Sequence, residues 1–233
     1  YKENQNYNDN GYFSNMGLKY SLFNAGVIPS IGYIKDELSL RLGAAAYLGM
    51  DAENSNTDLF LYPQVSASYR LVDDVLIAYG GLEGSLDQNT YYAFKEINPF
   101  LSPTLLIAPT NNVYEGFAGL KGKLSNKVGY NLRAGYGNEK NKALFRLNDY
   151  RGFQVNARGY EQGNSFTVVY DDVKTISVFG ELNVEVSNSF SLGVNGTFNS
   201  YNTDQQMEAW NLPSIEASIF SNFNITEELY GGL

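Results

Sequence analysis

The sequence predicts an all-β fold: an antiparallel up-and-down transmembrane β-barrel, or a portion of a larger one, with short turns at one end and long loops at the other. Three observations carry that expectation. Long segments alternate apolar and polar residues with a period of two, as strands do when their two faces meet different surroundings. Short polar turns alternate with long connections, so one end of the sheet is trimmed and the other elaborated, as in membrane barrels. The 233 residues include 19 Tyr, 14 Phe and 23 Gly but only 18% charged residues, which favours strands, tight turns and interfaces over helices.

Taken in order, the first clear strand follows the polar turn Lys35-Asp36-Glu37. Leu38, Leu40, Leu42, Ala44, Ala46, Leu48 and Met50 alternate there with Ser39, Arg41, Gly43, Ala45, Tyr47 and Gly49. A loop near 51 to 57 leads to the next strand, where Leu59, Leu61, Pro63, Val65, Ala67 and Tyr69 oppose Phe60, Tyr62, Gln64, Ser66, Ser68 and Arg70. Pro63 has no N–H for a ladder hydrogen bond, so it belongs near a strand end, a bulge or an edge. After the turn Val72-Asp73-Asp74, Leu76, Ala78, Gly80, Leu82 and Leu86 oppose Ile77, Tyr79, Glu83 and Ser85. A long connection near 88 to 111 follows.

Tyr114, Gly116, Ala118, Leu120 and Leu124 then alternate with Glu115, Phe117, Lys121 and Lys123. Ser125-Asn126-Lys127 reads as a hairpin turn into Val128, Tyr130, Leu132, Ala134 and Tyr136, which oppose Asn131 and Arg133. Beyond a connection near 138 to 172, Ile176, Val178, Leu182 and Val184 face away from Glu181, Asn183 and Glu185. Ser187-Asn188-Ser189 turns the chain into Phe190, Leu192, Val194 and Phe198, opposed by Ser191, Asn195, Thr197 and Asn199. A connection near 201 to 211 precedes Pro213, Ile215, Ala217, Ile219 and Phe223, opposed by Ser214, Glu216, Ser218 and Asn222, and Thr226-Glu227-Glu228 turns toward Leu229. This makes about nine or ten strands of roughly 10 to 13 residues, where globular strands run to ~5 to 6.

Alternation alone also fits a soluble antiparallel sandwich, whose apolar face points inward to a second sheet. Turn asymmetry and the placement of Tyr69, Tyr130, Tyr136, Phe190, Phe198 and Phe223 near the ends of the apolar faces favour a barrel, where such rings form interfacial girdles. No apolar run approaches the ~18 residues of a spanning helix, and a spanning strand needs no such run.

The side-chain inventory removes several function classes. Lys and Arg number 16 against 25 Asp and Glu, a net charge of −9 that argues against nucleic acid. With no Cys and no His, disulfide scaffolds, thiol nucleophiles, zinc clusters and imidazole triads are excluded. Glu181 and Glu185 share a face, but four residues of strand separate them by ~13 Å, too far for either glycosidase geometry. No catalytic residue and no cofactor is expected. The acidic loop Asp51-Ala52-Glu53-Asn54-Ser55-Asn56-Thr57-Asp58 places oxygens at alternate positions, a pattern that suits Ca²⁺, but lacks the spacing and closing Glu of an EF-hand. It reads as a solvated loop, no metal site is assigned, and Asp171-Asp172 and Glu227-Glu228 read as turn acids.

If the apolar face meets lipid, the opposite face lines a lumen, and its candidates are Arg41, Gln64, Arg70, Glu83, Glu115, Lys121, Lys123, Asn131, Arg133, Glu181, Asn183, Glu185 and Glu216. Charges of both signs there would pair to hold the barrel's shape or form an eyelet that selects solutes. In a sandwich the same residues are a solvated exterior. Tyr91, Tyr92, Phe94, Tyr150, Tyr160 and Trp210 lie in the long connections and are candidates for extracellular contacts or for packing a lid.

Two stretches, Asn98-Pro99-Phe100-Leu101-Ser102-Pro103-Thr104-Leu105 and Asn112-Val113-Tyr114-Glu115-Gly116-Phe117-Ala118-Gly119-Leu120-Lys121-Gly122-Lys123, resemble outer-membrane β-barrel proteins of the Bacteroidota, of the TonB-dependent-receptor-like kind. The likeness extends loosely through Asn141-Lys142-Ala143-Leu144-Phe145 and Tyr170-Asp171-Asp172-Val173. It implies a bacterial outer-membrane location, periplasmic turns, extracellular loops, and uptake of a nutrient driven through an inner-membrane energy transducer. The sequence departs from that family in showing no plug domain and no TonB box, and a receptor barrel has ~22 strands. Residue 1 is Tyr and no secretory leader is recognisable, so the expectation is one barrel domain over residues 1–233, truncated at one or both ends. Three functions stay in view: porin-like passage or receptor-mediated uptake of a solute, a scaffold barrel partnered with envelope proteins, and a secreted soluble sandwich that binds a partner. Outer-membrane lipid is the partner common to the first two.

Overall fold

The computed structural model describes residues 2–5, 18–150, 160, 162–187, 189–224 and 230–232. Asn188 and the expected turn Thr226-Glu227-Glu228 with Leu229 lie outside the described residues.

Twelve strands and one short helix follow in the order β1 (Lys2–Gln5), β2 (Leu18–Val27), β3 (Ser30–Lys35), β4 (Leu38–Asp51), β5 (Asn56–Val72), β6 (Leu76–Asp87), α1 (Tyr91–Ile97), β7 (Thr110–Ser125), β8 (Val128–Leu147), β9 (Phe166–Ser187), β10 (Phe190–Thr203), β11 (Ile215–Asn224) and β12 (Tyr230–Gly232). All belong to one antiparallel sheet in which chain neighbours are sheet neighbours. Both β2 and β3 pair with β4, β2 along residues 46–51 and β3 along 38–43. They form a single wall position broken at Ile28-Pro29, so twelve strands fill eleven positions. Proline cannot donate to the ladder, but its carbonyl still accepts from the Ala44 N–H at 3.2 Å.

Cross-strand register sorts the side chains. One row runs Leu42, Val65, Leu82, Gly116, Tyr136 and Ile176, and the adjacent row on the other face runs Gln64, Glu83, Glu115, Gly137, Thr175 and Tyr201. Because side chains alternate along a strand, each row repeats every second residue and each face keeps one character. The apolar face is uncovered: Leu61 is 70% and Ile219 74% exposed. Among the described residues no second sheet packs on it, which overturns the sandwich. A continuous apolar surface of this size, outside any core, is the mark of a wall that meets lipid.

Turn chemistry sets one end. Asp36 and Asp74 adopt φ of 51° and 52° in the short turns, the left-handed conformation that Asp tolerates. At the other end the strands outrun the sequence expectation. β8 reaches 20 residues and β9 22, so the connection between them spans only 148–165 rather than 138–172. Strands β2 and β3 were also unforeseen, because Asn24, Gly26 and Pro29 interrupt the apolar alternation there. Leu86 departs too: a register shift between Glu83 and Ser85 frees it from the apolar face to pack, buried, with Ala45 and Tyr62.

Pro63 finds the edge it requires. It pairs with Ala44 of β4 on one side, while the β5–β6 ladder starts only at Gln64 and runs toward the short turn. Above that point Gln64 Nε2 donates to the Gly84 carbonyl of β6 at 2.6 Å, and the Tyr62 hydroxyl reaches past β6 to Asn111 Oδ1 of β7 at 2.8 Å.

The hydrophobic core sits off the wall, at the long-loop end. Phe94, Leu101, Leu105, Ile107, Phe145 and Val168 cluster there with Tyr20, joining α1 and the segment 98–109 to the extensions of β8 and β9. Thr90 caps α1, its Oγ1 accepting the Ala93 N–H at 3.1 Å.

Candidate functional site

The polar face is concave. Residues from every strand between β4 and β10 line one cavity of about 560 Å³, which a flat sheet would not allow. All thirteen predicted lumen candidates fall on this face by register, from Arg41 opposite Ser66 to Glu216 opposite Thr197 and Glu185 opposite Ser191. Of these, Gln64, Glu83 and Glu115 line the cavity itself. Arg133, opposite Gly119 and Phe179, pairs with Glu115 while its guanidinium lies 4.0 Å from the centre of the Phe117 ring. Such stacking fixes a long side chain that would otherwise sample many rotamers. Glu83 stands directly opposite Glu115.

Nearer the short turns the same face carries a side-chain network beside a smaller cavity of about 260 Å³ lined by Lys123, Asn183 and Glu185. Lys121 sits 5.4 Å from the Tyr79 ring centre, the Tyr79 hydroxyl donates to Asn131 Oδ1 at 2.6 Å, and Asn183 Nδ2 donates to Glu181 at 2.8 Å. Arg70 and Lys123 turn toward the acids of the turn, Asp73 at 3.6 Å and Asp74 at 4.0 Å.

Sequence reasoning missed the cavity's upper wall. Glu139, Lys142, Asn112, Thr175, Tyr47 and Tyr201 line it, and Glu139, Lys142 and Tyr201 lie in stretches read as loop. Residues 139 and 142 would point to opposite faces of a regular strand. A bulge between them, with Asn141 at φ 56°, restores Lys142 to the concave side, where its Nζ donates to Glu139 Oε1 at 2.6 Å. Asn141 is held there by its own N–H to Asp172 at 3.0 Å and its amide to the Pro109 carbonyl at 2.7 Å. Asp171 accepts the Gln205 and Gln206 N–H groups, which anchors the β10–β11 connection over the rim. Beside the rim a second cavity of about 280 Å³ shares Glu139 and Lys142 and adds Trp210. Three buried polar atoms around these two spaces, Asn112 Oδ1, Thr175 Oγ1 and Trp210 Nε1, have no partner among the described residues.

The loop aromatics divide. Tyr92 is 73% exposed and Tyr150 is also exposed, as a contact surface requires. Tyr160 is half-buried, and Tyr91 packs against the core cluster. Phe94 corrects the expectation: it is buried, edge-on to Phe145 with ring centres 5.4 Å apart, because α1 turns one side of its short length into the core. Tyr170, quoted above only within a family-like stretch, ties the segment above it by donating to the Leu106 carbonyl at 3.0 Å and accepting the Ala108 N–H at 2.9 Å. Burial pushes its phenol up to about 12, so it remains a donor at neutral pH. The acidic loop is internally satisfied, Asp51 accepting the Glu53 and Asn54 N–H groups, and Lys19 pairs with Glu53 at 3.0 Å. Among the described residues no three carboxylates converge on a metal-sized site.

No protein-family model and no curated protein matches the chain. Solved structures do. The copper transporter OprC superposes with a TM-score of 0.60 at 14% identity over 87% of this chain and 32% of its own. The pyoverdine outer membrane receptor FpvA of Pseudomonas aeruginosa gives 0.57 at 14% over 95% and 32%. The alcaligin outer membrane receptor FauA of Bordetella pertussis gives 0.52 at 13% over 92% and 37%. The fold is that of an outer-membrane receptor barrel. At these identities the likeness is one of fold, and the chain spans about a third of the length of the receptors it matches.

Proposed function

We propose that this chain forms wall of a bacterial outer-membrane barrel that takes up a solute, with the short turns in the periplasm and the long connections outside. One observation carries the reading: a bare apolar band on the outer face backs a concave polar face that encloses a cavity between β4 and β10. The unpartnered Asn112, Thr175 and Trp210 atoms around it offer hydrogen bonds to a hydrated guest. Of the thirteen predicted lumen residues, Glu83, Glu115 and Gln64 line the cavity and stand nearest the guest, and the others share its face. A metal ion or metal chelate is the solute class suggested by what OprC and FpvA are named for. Energising by an inner-membrane transducer, and a Bacteroidota lineage, rest on the sequence resemblance of 98–105 and 112–123. A second reading, a scaffold barrel holding envelope partners, is supported by the side-chain contacts of Tyr79, Lys121, Asn131 and Arg133 across the periplasmic half.

The test is permeability of vesicles carrying the complete protein. A side chain at Gly137 would enter open space on the concave face, whereas Gly116 lies on the outer face beside Leu82. Gly137→Trp is expected to slow solute entry several-fold and Gly116→Trp to leave it unchanged. Equal entry through both variants would favour the scaffold.

A further inference from the structure

Two cavities meet at one ion pair. Glu139 and Lys142 line both the larger cavity against the wall and the smaller one beside the rim, and they are the only described residues common to the two. Lys142 Nζ donates to both Glu139 carboxylate oxygens, at 2.6 and 2.5 Å, with the two side chains only 22% and 21% exposed. Such a pair is better shielded than the usual surface pair, whose attraction water and salt largely erase.

The backbone is deformed to make it. Residues three apart on a regular strand point to opposite faces, and only the register shift between Glu139 and Lys142 brings both to the concave side. Asn141 is left at φ 56°, a conformation that costs a non-glycine residue free energy and persists where its surroundings enforce it. Here they do: its N–H goes to Asp172, its side-chain amide to the Pro109 carbonyl, and its own carbonyl accepts from Thr110 Oγ1 at 3.1 Å.

Among the described residues, Lys142 is the only cation lining either space. In the larger one Glu115 is committed to Arg133, while Glu83 has no ion-pair partner among the described residues. In the smaller one Asp87 accepts from Ser85 and Asn112, neither of which neutralises it. Negative charge therefore remains on both sides, and the one opposing charge is masked by Glu139 where the spaces join. We propose that the Glu139–Lys142 pair is the threshold a solute crosses between the two cavities, and that Glu139 keeps the crossing open to cations by neutralising Lys142. The inference rests on the solute-uptake reading of the concave face and adds to it the residues that choose by charge.

The 233 residues contain no Cys, so Ser177→Cys sets a lone thiol in the larger cavity and Asn211→Cys one in the smaller. Each is placed in the complete protein in vesicles and timed against a cationic and an anionic methanethiosulfonate of similar size, every rate normalised to that of a free thiol in solution. Glu139 pairs with Val173, so Ser177 lies four residues along β9, ~13 Å below. Fields are screened beyond ~8 Å at physiological salt, and the ratio at Ser177 therefore reports passage. The cation is expected to react faster there, Glu139→Gln to lower the cation-to-anion ratio about ten-fold, and Lys142→Gln to raise it several-fold. A preference for the anion without either variant, a ratio that either variant leaves unmoved, or a shift in the same direction by both overturns the proposal while the uptake reading stands. A thiol at Ser177 that reacts with neither reagent, while Asn211→Cys reacts with both, overturns the two together.

Discussion

The same residue types meet opposite fates in the wall and in the structure above it. Leu105, in the segment 98–109, is 1% exposed, whereas Ile219 of β11 is 74% exposed. Above the wall, Phe94, Phe145 and Val168 close around Leu105 as in a water-soluble protein. On the wall, Leu42, Leu132 and Ile176 face outward with nothing packed on them. The contrast teaches that the two regions answer to different solvents: one buries apolar surface against itself, the other keeps it for hydrocarbon.

Substitutions can break that contrast. Leu105→Ala removes a fully buried side chain and should cost about 2–5 kcal/mol locally, seen as faster hydrogen exchange across 98–109 with membrane assembly unaffected. Leu42→Arg or Leu132→Arg should impair assembly into bilayers by roughly 2–4 kcal/mol and leave exchange in 98–109 unchanged. Equal tolerance of Arg at Leu42 and at Ser39, on the concave face, would reverse the assignment of faces. Tyr170→Phe strands the Ala108 N–H and should loosen the upper region by about 1–3 kcal/mol, read as protection lost at 106–108 alone. Thr90→Ala removes the α1 cap for about 1 kcal/mol, measurable as exchange confined to the helix N-terminus.

Legibility in the sequence follows the same division. On the strands between Leu38 and Phe223 the alternation of apolar with polar residues is readable because lipid and water demand it at every step, and so both faces and the three short turns among them could be assigned. Above the band that demand ceases. Asn138 and Lys174 replace Leu and Val at outward positions on strands that still continue, and the extensions of β8 and β9 over 138–147 and 166–172 were read as loop. Lys142 was further hidden by the bulge at Asn141, which no periodicity can locate. Helix α1 had a readable cap in Thr90 but only 7 residues, too few for a helical period to emerge. The candidate site was half visible for the same reason: Gln64, Glu83 and Glu115 lie within the alternating region, Glu139 and Lys142 beyond it.

Pro63 gives the wall a place to tear. Where β8 and β9 are laced by backbone along most of their length, the upper half of the β5–β6 seam relies on the Gln64 side-chain bond, the Tyr62 hydroxyl reaching past β6 to Asn111 of β7. Under tension from a tip attached to the β4–β5 loop, backbone ladders loaded in shear will resist together, and this seam will yield first. Mechanical extraction should therefore release the chain through β5 as one step, before β6 and β7 follow.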